Sequence, residues 1–326
     1  MQQFFTALTE QFPPHKLKQK ESMASHTTFH TGGLAEYFCE VDTQTELVTL
    51  IKLAREYDVP ITLLGGGSFS LVSDNGIEGL VVKNKCRKFE MMSFQGKIRN
   101  RQLDVDRAFV YAESGALLNQ VVRSTLDGGY EGLEYALGVP GTVGGAIAVN
   151  AEYAPQNFFI GDALYKARIL TKEGIVKDVE RGYFHFDPGY SNIQSTGDIL
   201  LSVMFLVTPG HKSTLWQKGQ EAATYRTSIP EQEKSYGVTY RSIHIDKTET
   251  LLAHNSLPSL DYLFNHAGLR GIQKGNAMLS SDNPRFLINV GNATTREAVS
   301  LLRETQRNIK EKYQTSLSIQ MKEIGV

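Results

Sequence analysis

The sequence predicts an α+β or α/β protein built from more than one compact unit, and three observations support this. From Thr28 onward, segments with alternating apolar residues are interspersed with segments of helical apolar spacing. Two glycine-rich segments, residues 63–68 and 138–146, each follow an apolar run. The 326 residues leave room for two or three units of roughly 100–200 residues each. We therefore expect a mixed fold that contains two glycine loops.

The first elements are assigned from local patterns. Residues 1–24 predict a short helix and a linker, to which we assign no chemistry. A strand over 35–41 and a helix over 45–57 follow, because the apolar spacing changes from alternating to helical. Thr43 is the predicted N-cap of that helix. A strand over 59–64 then enters the first glycine loop.

A second pass of similar order follows the first loop. A strand over 79–82 closes the first pass, and a strand over 108–112 opens the second. The helix predicted over 116–126 is stopped by the pair Gly128-Gly129. The second glycine loop comes next.

The last third of the chain predicts strands and then helices. Residues 159–208 hold strand-like runs, with a hairpin turn at 172–174. Beyond Pro209-Gly210 the composition becomes polar and helical through Tyr225. Helices are predicted over 260–266, after a turn at Pro258-Ser259, and over 295–313. Thr294 and Glu297 have the spacing of a capping box at the start of the last helix.

Charge and cysteine content restrict the class of partner. The 34 Lys and Arg nearly balance the 35 Asp and Glu, so no basic field indicates nucleic acid. Cys39 and Cys86 have no metal-type spacing, which predicts buried thiols, a reducing compartment and no metal site. No run approaches the ~18 apolar residues of a membrane span, and the N-terminus lacks a leader pattern. We expect a cytoplasmic monomer or small homo-oligomer that binds a small molecule.

The two glycine loops are the strongest indication of a ligand. Glycine lacks a Cβ, so main-chain N–H groups can approach a diphosphate or a planar ring. Neither loop matches the P-loop or the Rossmann fingerprint, which disfavours both classes. A single Gly-Gly-Gly-Ser run is also common in tight turns. Two such loops predict one extended ligand.

Six segments carry a family resemblance, and their order and spacing agree with it. The most specific is 132–146, and the others are 27–35, 64–68, 266–271, 283–289 and 317–325. With these segments the chain resembles the UDP-N-acetylenolpyruvoylglucosamine reductases, the MurB flavoenzymes of peptidoglycan synthesis, over most of residues 25–326.

The resemblance implies a more specific fold and domain division. The expected fold is α+β, with a two-part FAD-binding domain of the vanillyl-alcohol-oxidase (PCMH) type and a C-terminal α+β substrate domain of MurB type. The expected parts are an N-terminal extension at 1–24, FAD-binding subdomains at 25–88 and 89–225, and the substrate domain at 226–326.

The resemblance also implies FAD as the cofactor, with NADPH as a candidate reductant. His26 and His30 precede the first loop in a polar stretch, where histidines are more often solvent-facing, so no covalent flavin link is predicted. The residues expected to bind FAD are Leu64, Gly65, Gly66, Gly67, Ser68, Phe69, Leu71, Val139, Pro140, Gly141, Thr142, Gly144, Gly145 and Ala146.

The chain departs from the family at its catalytic positions. In the family, a serine or cysteine protonates carbon after hydride transfer, while an arginine and a glutamate stabilise the enolate-like intermediate. By resemblance these positions read Val238, Ser191 and Gln320. An alignment shifted by one residue makes Thr239 the proton donor.

Residues near these positions are the remaining candidates for chemistry. The catalytic candidates are Tyr190, Thr239, Tyr240 and His244. The substrate-binding candidates are Tyr236, Tyr240, Arg241 and Asn289.

Three functions remain open at this point. We favour an FAD-dependent oxidoreductase with a changed substrate, and a nucleotide-linked compound is one candidate for that substrate. The alternatives are an authentic NADPH-dependent UDP-N-acetylenolpyruvoylglucosamine reductase and a flavin- or nucleotide-binding protein without catalysis.

Overall fold

The structure is a computed structural model that describes residues 2–93, 108–226, 235–238, 240–245, 260–319 and 321–325. Residues 235–238 and 240–245 are described by their backbone alone. The turn predicted at Pro258-Ser259 lies outside the described residues.

The described residues form seven α-helices. Six of them confirm the helices predicted from the sequence, and α4 occupies part of the second glycine loop, where no helix was expected. The helices are α1 Gln2–Gln11, α2 Gln44–Glu56, α3 Leu118–Gly128, α4 Val143–Ala148, α5 Lys212–Arg226, α6 Leu260–Ala267 and α7 Thr295–Tyr313.

The described residues also form twenty strands, several of them very short. They are β1 Leu17–Ser22, β2 Leu34–Val41, β3 Ile61–Leu64, β4 Ser70–Val72, β5 Ile77–Asn84, β6 Phe89–Ser93, β7 Ala108–Glu113, β8 Tyr130–Glu131, β9 Glu152–Tyr153, β10 Phe158–Phe159, β11 Leu164–Leu170, β12 Val176–Glu180, β13 Ile199–Pro209, β14 Ser235–Val238, β15 Tyr240–Ile245, β16 Gln273–Lys274, β17 Ala277–Leu279, β18 Phe286–Asn289, β19 Thr315–Ile319 and β20 Lys322–Ile324. The mixture of helices and strands confirms the α+β class.

The chain divides into two compact units that interleave along the sequence. The first unit comprises residues 1–18, 38–66 and 79–227, and the second comprises 19–37, 67–78 and 228–326. The predicted division into four consecutive parts remains a prediction.

An antiparallel sheet forms the centre of the first unit. Its strand order is β12-β11-β13-β7-β6, and β8 also pairs with β13. Residues 172–174 form the predicted hairpin turn between β11 and β12. The side chains of Phe184 and Phe205 are fully buried in the core that this sheet shares with α3, α4 and α5. A smaller sheet has the order β1-β2-β5-β3, in which β3 and β5 are parallel.

Two helix starts in the first unit test the sequence assignments. Thr43 confirms its predicted role, because its side chain accepts a hydrogen bond from the Glu46 N–H at 3.2 Å. The helix predicted from residue 116 begins two residues later, at Leu118. Leu117 instead forms a β-bridge with Thr142 in the second glycine loop. This long-range pairing competes with the local helical pattern and delays the helix.

The second unit packs α6 and α7 on an antiparallel sheet of order β14-β18-β17-β16. The capping box at the start of α7 is confirmed: the Thr294 hydroxyl accepts from the Glu297 N–H at 3.1 Å, and the Glu297 carboxylate accepts from the Thr294 N–H at 2.9 Å. These contacts satisfy two of the amides that a helix start leaves unpaired.

A residue distant in sequence completes the start of α7. The Asp74 carboxylate accepts hydrogen bonds from the Thr295 N–H at 2.8 Å and from the Arg296 N–H at 2.9 Å. The Thr295 hydroxyl donates to the Val72 carbonyl oxygen at 2.6 Å. The strand β4 is also the parallel partner of β20. Residues 70–74 therefore contact both the start of α7 and the last strand of the chain.

We predict that Asp74→Ala lowers the stability of the second unit by roughly 1–2 kcal/mol, the usual cost of losing a capping side chain. The readout is the midpoint of urea unfolding followed by circular dichroism. Asp282→Ala is the matched control, because Asp282 is exposed and its carboxylate makes no recorded hydrogen bond within the described residues. Equal midpoints for the two variants would contradict the assignment.

We also predict that both cysteines resist alkylation in the native protein. Cys39 and Cys86 are buried and unpaired, and burial raises the pKa of each thiol to about 12. The reactive thiolate is therefore almost absent at about pH 8. Mass spectrometry should find both thiols modified only after denaturation, and stoichiometric labelling of the folded protein would refute the assignment.

Candidate functional site

The first glycine loop follows β3, which pairs in parallel with β5 in the first unit. Leu64 ends β3 and lies opposite Lys83 of β5. A methyl group on Gly65 would lie 2.5 Å from the Thr142 Oγ1 atom, and one on Gly66 would lie 2.7 Å from the Gly141 Cα atom. Only residues without a side chain fit at such separations. The two glycine loops are therefore in direct contact, in agreement with the expectation of one shared ligand.

The second glycine loop forms hydrogen bonds with the segment that connects β7 and α3. The Gly144 N–H donates to the Ser114 carbonyl oxygen at 2.8 Å, and the Val143 N–H donates to the Ala116 carbonyl oxygen at 2.9 Å. Thr142 caps α4, because its side chain accepts from the Gly145 N–H at 3.3 Å. The backbone of the loop is thus fixed to the segment that connects β7 and α3.

Some amides of the contact region have no partner within the protein. Among the described residues, the backbone N–H groups of Gly65, Gly66 and Gly141 make no hydrogen bond, and Gly66 is exposed. Consecutive unpaired amides in glycine loops are typical of sites for phosphate oxygens. The arrangement is chemically suited to an anionic, extended ligand.

The other residues predicted to bind the cofactor differ in their exposure to solvent. In the second unit, Ser68 and Leu71 are buried and Phe69 packs against the apolar core. In the first unit, Val139 and Ala146 are buried, whereas Pro140 and Gly145 are exposed. Their roles in binding remain predictions.

Ser191, which the resemblance places at the family's arginine position, has a structural contact. Its side chain is fully buried, and its Oγ donates to the Ala148 carbonyl oxygen at 3.0 Å. Ala148 ends α4, and the Gln194 amide also donates to it at 2.5 Å. Tyr190 is 37% exposed, and its hydroxyl lies 2.9 Å from the Ser195 Oγ. Of Tyr190 and Ser191, only Tyr190 is accessible to a ligand.

Val238 lies on β14, and the catalytic candidates Tyr240 and His244 lie on β15. Val238 is opposite Phe286, and the register is irregular between Tyr236 and Val238. Tyr240 is opposite Ile319, the residue before Gln320, and His244 is opposite Ser316. Arg241 is on the same strand as Tyr240. Thr239 and Gln320 lie outside the described residues, so their roles remain predictions.

Asn289, a predicted substrate residue, makes several contacts within the second unit. Its amide nitrogen donates to the Phe29 carbonyl oxygen at 2.9 Å, and its oxygen accepts from Gly291 and Ala293 at 3.1 and 3.0 Å. The side chain is 8% exposed. These bonds hold the turn after β18, and a substrate contact remains a prediction.

Sequence reasoning did not single out Ser114 and Ala116, which hold the second loop through their carbonyl oxygens. Backbone acceptors leave no side-chain signal. The small residues directly after a predicted strand are the one feature that could have indicated a close approach. The chain does pass close to another segment at Gly115, since a methyl group there would lie 2.6 Å from the Asn84 Oδ1 atom.

Neither a metal centre nor a membrane span is found in the part of the chain that the structure describes. Its His, Cys, Asp and Glu side chains form no group of three or more that could bind a metal ion. Its helices are either too short or too polar to cross a bilayer.

Sequence comparison finds two domain families in the order predicted. Residues 35–180 match the FAD binding domain family. Residues 230–324 match the C-terminal domain family of UDP-N-acetylenolpyruvoylglucosamine reductase. The chain is thus an FAD-dependent oxidoreductase by family, and the unpaired amides of the contacting loops fit the diphosphate of that cofactor.

Several relatives and a solved structure match over almost the whole chain. A UDP-N-acetylenolpyruvoylglucosamine reductase of Agathobacter rectalis is 32% identical over 99% of both chains. One from Shouchella clausii is 30% identical over 96% of this chain and 92% of its own. The crystal structure of the Thermus caldophilus enzyme (MurB) is 24% identical, covers 93% of this chain and 97% of its own, and has a TM-score of 0.70, which confirms the fold. The chain belongs to the UDP-N-acetylenolpyruvoylglucosamine reductase family.

Proposed function

We propose that this flavoenzyme acts on a substrate other than UDP-N-acetylenolpyruvoylglucosamine. The observation that carries the proposal is the placement of Ser191, whose hydroxyl is buried and bonded to the Ala148 carbonyl oxygen. A neutral, fully buried side chain in that contact cannot provide the positive charge that the family uses against an enolate.

The proton donor is the second departure that supports the proposal. Val238 has no exchangeable proton, so it cannot protonate a carbon atom. Loss of a general acid typically lowers the rate by about 10²–10⁴-fold, and loss of charge stabilisation has a similar effect. These losses need not multiply. Together they disfavour the parent reaction in this chain.

The two glycine loops are proposed to hold the cofactor. The amides of Gly65, Gly66 and Gly141 would bind the FAD diphosphate without a covalent link. Bound FAD supplies hydride acceptance and donation. Tyr190, Tyr240 and His244 are the titratable candidates for proton removal from an alcohol or amine substrate.

The remaining partner assignments are also proposals. NADPH is the candidate reductant. The substrate is a small molecule, and a nucleotide-linked compound is one candidate for it. We propose a cytoplasmic location and a monomeric or small homo-oligomeric state.

An authentic reductase is the second candidate, and the 32% identity to the Agathobacter rectalis enzyme over the full length favours it. In that case Thr239 or an ordered water molecule would have to provide the proton that Val238 cannot.

An NADPH oxidation assay with UDP-N-acetylglucosamine enolpyruvate separates the two candidates. We predict no turnover by the FAD-loaded wild-type protein, because neither Val238 nor Ser191 can perform the family's role. Turnover by the FAD-loaded wild-type protein would overturn the proposal in favour of the authentic reductase. Loss of that turnover in Thr239→Val, with FAD still bound, would identify Thr239 as the proton donor. The third function, a binding protein without catalysis, predicts that neither NADPH nor any candidate substrate reduces the bound flavin.

We predict that Gly66→Ala weakens FAD binding by about tenfold or more, because overpacking costs roughly 1–3 kcal/mol and about 1.4 kcal/mol is tenfold in affinity. The added methyl group would lie 2.7 Å from the Gly141 Cα atom. The readout is the Kd of apoprotein for FAD by flavin fluorescence.

Gly182→Ala is the matched control for this variant. A methyl group on Gly182 would meet no atom within 4 Å. Its FAD affinity should equal that of the wild type. If Gly66→Ala also binds FAD as the wild type does, the contact between the loops is not needed for the cofactor.

A further inference from the structure

The last residue of α5 joins the two ends of the segment that carries the second glycine loop. Arg226 Nη1 donates to the Leu137 carbonyl oxygen, and Nη2 donates to the Glu152 carbonyl oxygen, each at 2.8 Å. Leu137 immediately precedes the loop at 138–146, and Glu152 follows the end of α4. A single guanidinium group therefore fixes the distance between the chain before the loop and the chain after it.

One aromatic ring lies against this guanidinium, and two further rings pack on that ring. Its central carbon lies 5.2 Å from the centroid of the Tyr153 ring. Tyr153 stacks on Tyr135 at 5.4 Å between ring centroids and meets the Tyr225 ring edge-on at 5.4 Å. Burial lowers the pKa of Arg226 to about 10, so the side chain is still cationic at neutral pH. Its two bonds to carbonyl oxygens are charge-assisted, and such bonds are stronger than neutral ones.

The helix that carries Arg226 is itself packed closely against the start of the loop. A methyl group on Gly138 would lie 2.8 Å from the Ala223 Cα atom. One on Gly219 would lie 3.1 Å from the Leu137 Cδ2 atom. The backbone of α5 thus supports the first residue of the loop, and the Arg226 side chain reaches both ends of the loop segment.

We propose that Arg226 is a positioning residue for FAD. It touches no cofactor atom in this assignment, and acts by keeping Gly141 in contact with Gly66, and Thr142 in contact with Gly65. The proposal rests on the assignment of the two glycine loops to FAD. A guanidinium is suited to this role because its planar fork can serve two carbonyl oxygens at once, whereas a lysine ammonium has no fixed fork.

The test is the affinity of apoprotein for FAD, measured by flavin fluorescence at a temperature where circular dichroism shows each variant to be folded. Arg226→Met leaves both carbonyl oxygens without their donor and should raise the Kd by about tenfold or more. Arg226→Lys keeps the charge but lacks the planar fork whose two Nη atoms serve the two oxygens. Its Kd should lie between those of the wild type and Arg226→Met.

Two control variants separate positioning from general stability. Arg123→Met removes an exposed arginine whose guanidinium lies 5.8 Å from the Trp216 ring in the same unit, and it should leave the Kd within about twofold. Ile169→Ala removes a fully buried side chain of β11 in the same core. It should lower the thermal midpoint as large-to-small core changes do, with the Kd again within about twofold.

The outcomes distinguish this proposal from the cofactor assignment. Wild-type apoprotein that binds no FAD would overturn the cofactor assignment and the role of Arg226 with it. Wild-type binding with an Arg226→Met Kd within about twofold would overturn the role of Arg226 alone. A rise in Ile169→Ala as large as in Arg226→Met would also overturn it, since affinity would then follow stability. If Arg226→Met does not fold, the Arg226→Lys Kd decides by the same twofold limit.

Discussion

The contact between the two glycine loops is the constraint on which the site depends. At Gly65 and Gly66 the first loop leaves no room for a side chain, because Thr142 and Gly141 occupy that space. The backbone N–H groups of Gly65, Gly66 and Gly141 lie at this contact and make no hydrogen bond within the described residues. They are the groups that we propose for the FAD diphosphate.

The surrounding structure of the first unit holds the second loop in place for this contact. The Ser114 and Ala116 carbonyl oxygens bind its amides from one side, and α5 packs against its start at Gly138. Ser191 bonds to the end of α4, directly after the loop. The residue that the resemblance places at the family's arginine position thus contacts the backbone at the end of α4.

Local chemistry was predictable from the sequence, and long-range pairing was not. The caps at Thr43 and Thr294 were predicted because their partners lie three residues away. The glycine loops were predicted because two glycine-rich segments that each follow an apolar run indicate one extended ligand. The β4–β20 pair joins segments about 250 residues apart, and Asp74 caps α7 across a similar distance, and neither leaves a pattern in the local sequence. For the same reason the sequence did not indicate that Arg226 reaches two carbonyl oxygens.

The central claim is that these loops hold one FAD in a protein whose parent reaction has been lost. The most direct measurement is the visible absorption spectrum of the purified protein, with released flavin quantified, followed by anaerobic titration with NADPH and then with UDP-N-acetylglucosamine enolpyruvate. We expect one FAD per chain, and reduced flavin that the enolpyruvyl compound does not reoxidise. A protein without flavin, or one whose reduced flavin is reoxidised by that compound, would contradict the claim.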